Sequence, residues 1–357
     1  MHAKPMIETL TILFADWRDT HDLGLMMLLG GGLVGMIFGV LAERIDFCSR
    51  TAFGRFFDGT WRQDSGPVLC LLVAMLAAIG SVQMLAATEA VDFTTTGETD
   101  LRVGGIAFGS LIFGIGMTLC RGCISRLLVL TGRGNLRALF TLGFLGLVAW
   151  SSISGVLAAP RMALAGWLTL SVDSGFSATA ALLTGGLLLG MIAFILFQTK
   201  RLPPHLGAAA AIGLMVGLAF AITGMVGADD FDPVPVEGLL FTRPLTETLA
   251  YFTYGQTLSL KFGIGLVPGC VIGAAVSAGL GGRSRIETFD QNSPHPLRYL
   301  AGAVMMGFGG VVSGGCTIGW MLTNAASGHL GLIIAVAGFL TGMKLATSSF
   351  GRRLQPA

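Results

Sequence analysis

The chain has 357 residues, of which 53% are hydrophobic and only 12% are charged. A soluble domain carries about 25% charged residues, so this composition excludes an ordinary water-soluble protein and predicts an all-α integral membrane protein. The formal net charge of +2, with the arginines scattered over short loops, excludes a nucleic-acid-binding protein.

The predicted elements are apolar runs separated by short polar loops. Residues 1–22 mix charged and apolar positions, which predicts no cleavable signal peptide. A membrane-spanning helix needs about 20 mostly apolar residues. About nine runs fit, several short enough to indicate broken or re-entrant helices, and segment 247–260 is predicted as a partial helix lying against the bundle. The nine runs are 24–41, 66–87, 104–120, 138–158, 179–198, 207–227, 261–280, 299–315 and 329–347.

The loop charges predict how the chain crosses the membrane. Arginines follow the first, third and seventh runs, whereas carboxylates follow the second and sixth. Because cytoplasmic loops carry the excess of Lys and Arg, the N-terminus is predicted outside and the C-terminus in the cytoplasm. The basic residues are Arg44, Arg50, Arg55, Arg62, Arg121, Arg126, Arg133, Arg137, Lys200 and Arg201 after the fifth run, Arg283, Arg285, Arg298, Arg352 and Arg353, and the acidic ones are Glu89, Asp92, Glu98, Asp100, Asp229, Asp230, Asp232 and Glu237.

Two similar motifs suggest an internal repeat. Gly104–Gly122 reads GGIAFGSLIFGIGMTLCRG and leads into Cys123, and Ala301–Gly315 reads AGAVMMGFGGVVSGG and leads into Cys316. The charge argument makes the two copies run in opposite directions, which is typical of transporters with a central site between inverted halves. We therefore predict one membrane transport domain over 1–357, with a first half at 24–158, a linking helix at 179–198 and an inverted second half at 207–347.

Cysteines beside helix breaks are the predicted substrate pathway. Cys48, Cys123 and Cys316 follow the ends of apolar runs, where unpaired backbone amides suit an anion. A thiol adds a soft, weak donor and acceptor, which favours a sulfur-bearing anion. Cys70 and Cys270 are interpreted instead as buried small hydrophobes. The predicted pathway residues are Cys48, Cys123, Cys316, Gly122, Gly314, Gly315, Thr317 and Arg121.

Other readings of these residues stay open. Arg121 either helps to hold an anion or extends to the interface. Cys120 and Cys123 form a C-x-x-C pattern, but no second pair completes a zinc site, so we expect no metal or other cofactor. We also expect no catalytic residue and no enzyme activity. The competing hypothesis is a membrane sulfurtransferase that forms a persulfide on an exposed thiol.

Several motifs together resemble the YeeE/YedE membrane family. They are Phe47-Cys48, Gly122-Cys123 with Gly132 and Gly134 downstream, and MMGFGGVVSGGCTIG over Met305–Gly319. The resemblance covers about 30–342 and implies an hourglass of spanning and short helices in two inverted halves. It implies import of thiosulfate or a related sulfur anion across the inner membrane, by hydrogen bonds passed along Cys48, Cys123 and Cys316. Transport of a selenium compound or of sulfite is the alternative.

The resemblance also implies a small cytosolic sulfur carrier similar to TusA as a partner, besides the anion and membrane lipid. This chain departs from the family pattern at three places. Cys120-Arg121 stands where relatives usually have Ala-Gly, Arg126 replaces a frequent glycine, and Cys270 is an unexpected thiol. These departures leave the preferred anion open.

Overall fold

Helices account for the secondary structure because a backbone in lipid must satisfy its own hydrogen bonds. The computed structural model describes residues 22–88, 91, 101–170, 176–200, 202–226, 236–255, 259–289 and 295–350. Within these ranges the chain is all-α, with two isolated bridges, Leu101 to Leu170 and Asn135 to Glu287, and no sheet. The acidic loop residues from Glu89 to Asp100 and from Asp229 to Asp232, and the C-terminal Arg352 and Arg353, lie outside the described residues.

The helices follow the apolar runs in chain order. Besides α1–α12 and α14, a helical segment at 317–327 contains a widened turn, Gly319–Asn324, and ends in α13. The helices are α1 (Leu23–Arg44), α2 (Ser49–Phe57), α3 (Gly66–Ala87), α4 (Val103–Leu119), α5 (Ile124–Gly132), α6 (Leu136–Ser154), α7 (Ala158–Ala165), α8 (Ala178–Thr199), α9 (Leu206–Val226), α10 (Thr242–Tyr254), α11 (Phe262–Leu280), α12 (Pro296–Val312), α13 (Ala325–Ser327) and α14 (Leu332–Phe350).

Seven of the predicted spans are confirmed as helical segments long and apolar enough to cross a membrane. The last two predicted runs, 299–315 and 329–347, fall on shorter apolar helices, Pro296–Val312 and Leu332–Ser348. The predicted run 138–158 stops early, because Gly155 adopts an extended conformation that ends α6. The partial helix predicted at 247–260 is α10, which begins earlier, at Thr242, and ends at Gly255 with a positive φ.

A ladder of six glycines brings α1 and α11 into backbone contact. A methyl group at Gly35 would collide with the carbonyl oxygen of Leu266, and one at Gly269 would collide with that of Gly32. The contacts advance together along both helices, so α1 and α11 run parallel. Small residues that allow such close approach are the usual basis of helix association in membranes. The glycines are Gly31, Gly35, Gly39, Gly265, Gly269 and Gly273.

The helices that carry the two repeated motifs also cross on glycine, but in opposite directions. Gly109 of α4 meets Gly309 of α12, and Gly116 of α4 meets Gly302 of α12. Because the position on α12 falls as the position on α4 rises, the two helices are antiparallel. This relative direction agrees with the predicted crossing pattern.

A buried carboxylate joins the ends of α1, α5 and α11. Glu43 is fully buried and accepts hydrogen bonds from Arg133 Nε at 2.9 Å, Ser277 Oγ at 2.8 Å and Arg283 at 2.7 Å. Arg133 also pairs with Asp46 in the turn after α1. A charge buried in this setting needs such partners, and here they fix the three helix ends relative to one another.

Candidate functional site

Three cysteines occupy the same position in a repeated local structure. Cys48 precedes α2, Cys123 precedes α5, and Cys316 precedes the helical segment 317–327. The carbonyl of each accepts the first helical hydrogen bond, from Ala52, Leu127 and Trp320 respectively. Each cysteine is therefore the N-cap of a short helix, with its side chain beside the unpaired amides of the first turn.

A residue with left-handed backbone stands two positions before each of these cysteines. The φ angles are 50° at Asp46, 61° at Arg121 and 78° at Gly314. After α1 and α4 this residue closes the preceding helix, since Phe47 N bonds Ala42 O and Gly122 N bonds Met117 O. The predicted pathway residues Gly122 and Gly315 thus each follow the turn residue, and only Gly314 among the three turn residues has the freedom of glycine.

The three cysteine-bearing helix starts meet. Ser49, which follows Cys48, donates through Oγ to Thr317 Oγ1 at 3.0 Å, and both hydroxyls belong to fully buried residues. The thiols of Cys48 and Cys123 interact directly. The structure therefore gathers the predicted residues Cys48, Cys123 and Thr317 into one buried cluster, with Cys316 adjoining Thr317.

Polar groups surround each thiol. Cys123 Sγ lies 3.1 Å from Ser125 Oγ, and Gly319 N donates to Cys316 Sγ at 3.5 Å. The amide of Thr51 lies beside the Cys48 thiol, without forming a short capping hydrogen bond. All three cysteines are buried and free. Sequence reasoning missed the hydroxyls of Ser49 and Ser125, because their partners are visible only once the helix starts are assembled.

A further short helix, α10, has an aromatic residue at its N-cap. Phe241 is the N-cap of α10, is fully buried and packs on Phe38 with ring centroids 5.1 Å apart. Its neighbour Leu240 lies against Gly319 in the segment that carries Cys316. A phenyl ring therefore stands at the N-cap of α10, whereas a thiol stands at the N-cap of α2.

A cavity of about 200 Å³ adjoins the turn that precedes Cys316. Ser313 and Gly314 of that turn line it, together with Arg102 and Arg161 from the start of α4 and from α7. The Nε atom of Arg161 is buried and has no hydrogen-bond partner among the described residues. The cavity therefore offers positive charge beside one end of the cysteine cluster, and the sequence analysis did not identify it.

The remaining three cysteines lie outside the cluster and make different contacts. Cys120 Sγ bonds the carbonyl of Tyr299 at 3.5 Å and packs on Gly302, so it fixes α4 on α12. Cys270 lies in the middle of the α1–α11 ladder and is fully buried. Cys70 lines a separate cavity of about 400 Å³, together with Arg62 and His205. The C-x-x-C pattern thus splits, with Cys123 in the cluster and Cys120 in a helix contact.

Comparison with known proteins decides the family. The family described as "Sulphur transport" matches residues 46–345, a range that includes all three clustered cysteines. The chain belongs to the sulphur transport family. The resemblance to YeeE/YedE proteins is therefore confirmed, and the chain is a multi-pass membrane protein of a family that moves sulfur compounds. Family membership favours a transporter over an enzyme.

Two curated relatives cover most of the chain. The "Thiosulfate transporter TsuA" of Spirochaeta thermophila is 27% identical over 351 residues, which covers 88% of this chain and 97% of the relative. The "Thiosulfate transporter TsuA" of Escherichia coli is 27% identical over 353 residues, covering 88% of this chain and 93% of the relative. The chain thus spans almost the whole length of both transporters.

Proposed function

We propose that the chain imports thiosulfate, or a closely related small sulfur anion, through the cluster formed by Cys316, Cys48 and Cys123. The carrying observation is that three buried cysteines cap three short helices that meet in the interior. The relatives named as thiosulfate transporters support the choice of anion. Sulfite and selenium compounds remain the competing substrates.

The electrostatics of the cluster suit an anion better than a cation. Each helix N-terminus presents unpaired amides and the positive end of a helix dipole. The two flanking helices α2 and α5 and the segment 317–327 all direct that end toward the cysteine they follow. Thiols donate weakly, so an ion can leave one thiol for the next without breaking a strong bond.

The cavity beside Cys316 supplies the entry in this proposal. Arg102 and Arg161 attract the anion, Cys316 takes it from there, and the neighbouring pair Cys48 and Cys123 receives it next. In the predicted orientation this cavity faces outward and the Cys48–Cys123 pair lies toward the cytoplasm. The protein is accordingly placed in the inner membrane with its N-terminus outside. A carrier similar to TusA stays a prediction for the cytoplasmic side.

We further propose that two inverted halves, 24–158 and 207–347, build this pathway as an hourglass, with α8 linking them. The parallel pair α1 and α11 corresponds to the parallel pair α3 and α9, in which Gly213 lies on the carbonyl of Ala74. The antiparallel crossing of α4 and α12 would then lie on the axis that relates the halves. The matching turns before Cys123 and Cys316 support the same arrangement.

Uptake of labelled thiosulfate into proteoliposomes tests the function. We expect saturable uptake that unlabelled thiosulfate competes more strongly than sulfate, sulfite or selenite. Cys123→Ala and Cys316→Ala should each abolish uptake, because the ion loses one of its successive partners. Cys70→Ala is the matched control, since Cys70 lies in the wall of the separate cavity, and it should transport normally.

Other outcomes of this experiment would indicate a different substrate or a different function. Full uptake by both Cys123→Ala and Cys316→Ala would disprove the thiol pathway. Stronger competition by selenite or sulfite would change the substrate. Absence of any uptake, together with covalent sulfur on Cys123 or Cys316 in the purified protein, would favour the persulfide enzyme.

A further inference from the structure

The arginines on the side predicted to be cytoplasmic differ in their pairing. Five of those that the structure describes form ion pairs with carboxylates, as Arg133 does with Glu43. Arg50, Arg121 and Arg298 form no ion pair with any residue that the structure describes. The paired ones are Arg55 with Asp64, Arg126 with Asp46, Arg133 with Glu43 and Asp46, Arg137 with Glu287, and Arg283 with Glu43.

These three arginines come from distant parts of the chain to one place. Arg50 is in α2, Arg121 is in the turn before Cys123, and Arg298 is at the start of α12. The guanidinium of Arg298 and the backbone amide of Arg121 both donate to the carbonyl of Thr118, each at 3.4 Å. Each of the three charges repels the other two. Arg50 is also within electrostatic range of the thiols of Cys48 and Cys123. The cluster of Arg50, Arg121 and Arg298, called here the inner arginine cluster, therefore borders the thiol pair.

This arrangement is costly for the folded protein. The Nε atoms of Arg50 and Arg298 are buried without a hydrogen-bond partner among the described residues. The Arg298 side chain donates a long hydrogen bond of 3.4 Å to the carbonyl of Thr118. The carboxylate that attracts Arg50 is the exposed Asp58, which forms no ion pair with it. Buried polar atoms without partners are costly, and charged groups near a membrane interior are usually functional.

Arg121 adds a second cost. Its φ of 61° places a long side chain in the left-handed region, where glycine is favoured. The equivalent position before Cys316 is Gly314, with a φ of 78°. Backbone strain of this kind persists where it serves the site. The strained turn holds a guanidinium beside Arg50 and Arg298 instead of leaving the position to glycine.

We propose that the inner arginine cluster is a second anion-binding site, which takes a small oxyanion or thio-oxyanion as it leaves Cys48 and Cys123. Three guanidinium groups without carboxylate partners present planar donors that match the oxygens of such an ion. The ion neutralises their mutual repulsion while it is bound. The identity of the ion as thiosulfate rests on the proposed function, whereas the site itself rests on the three arginines.

Arginine labelling in the purified full-length protein tests the site without relying on transport. Phenylglyoxal modifies accessible arginines, and mass spectrometry of the peptides gives a rate for each one. We expect thiosulfate to slow the labelling of Arg50, Arg121 and Arg298. Arg285 is the matched control, because it lies on the same side, is exposed and is not part of the cluster. Its labelling should not change with added anion.

Two variants extend the test. Arg121→Gly removes one charged donor and relieves the strain, so the thiosulfate concentration that half-protects Arg50 and Arg298 should rise roughly ten- to hundredfold. Arg121→Lys keeps the charge and should restore part of the affinity. Size-exclusion chromatography shows that both variants remain folded, and Arg285→Gln should leave the half-protecting concentration unchanged.

The outcomes separate this inference from the proposed function. Equal labelling of the cluster with and without thiosulfate, sulfite or sulfate overturns the site, even where thiosulfate uptake is normal. Protection by sulfite or sulfate and not by thiosulfate supports the site and overturns the assigned substrate. Protection that Arg121→Gly leaves unchanged also overturns the site, because the ion would then be held elsewhere.

Discussion

Replacing Glu43 by glutamine should destabilise the protein more than any comparable change at the same membrane side. The fully buried carboxylate accepts from Ser277, Arg133 and Arg283, and Glu43→Gln removes its charge and turns one acceptor into a donor. Breaking a buried ion pair costs about 3–5 kcal/mol. Arg133 retains Asp46, and Arg283 is 44% exposed, so we expect a loss of about 2–3 kcal/mol.

Reversible unfolding in mixed micelles measures this loss as a change in unfolding free energy. The matched control is Glu287→Gln, because Glu287 also pairs with an arginine but its side chain is 48% exposed. An exposed pair contributes little, so the control should change the unfolding free energy by at most about 1 kcal/mol. If Glu43→Gln is no more destabilising than Glu287→Gln, the buried network does not hold the ends of α1, α5 and α11 together.

Three further predictions concern packing, protonation and strain. Gly35→Ala should lower the unfolding free energy by about 1–3 kcal/mol, because the added methyl group collides with Leu266. Gly190→Ala is the control: its methyl group meets no atom within 4 Å, so this variant should be neutral or slightly stabilising in the same measurement. Burial, assisted by Glu247, raises the pKa of Glu237 above its ordinary value of 4.5. The folded state then holds the proton more tightly, so stability should fall as pH rises from 4.5 through the raised pKa. Glu237→Gln should flatten the dependence of Tm on pH over that range. A Tm profile of Glu237→Gln that matches the wild type would contradict this. Arg121→Gly should raise the unfolding free energy by about 1 kcal/mol while weakening anion protection, and a stability loss would show that Arg121 is not strained.

The spans were predictable because hydropathy alone decides which segments lipid accepts. The cysteine sites were predictable in part, since Gly-Cys after an apolar run marks a helix break. The left-handed turns at Asp46 and Arg121 were not, because neither residue favours that conformation and only Gly314 carries the usual signal.

The ion pairs could not be predicted from the sequence for a different reason. Glu43 is a single carboxylate at the end of an apolar run, and its partners Ser277 and Arg283 are more than 200 residues away, as the separations of 234 and 240 show. The loop arginines looked alike when read for orientation. Only the assembled fold distinguishes Arg133, which is paired, from Arg50, which is not.

If the halves are inverted repeats as proposed, Phe241 before α10 corresponds to Cys48 before α2, and the proposed pathway is uneven. Two identical halves would give an ion the same series of binding positions from either side of the membrane. Two thiols, Cys48 and Cys123, lie on one side of the pathway, and Cys316 alone lies on the other. The position that binds the ion more strongly is therefore off the centre of the pathway. For passive flux at zero membrane potential, microscopic reversibility still keeps Vmax/KM equal in the two directions. Vmax and KM taken separately then differ between entry and exit. Right-side-out and inverted vesicles should therefore reach half-saturation at different anion concentrations, although neither accumulates the ion.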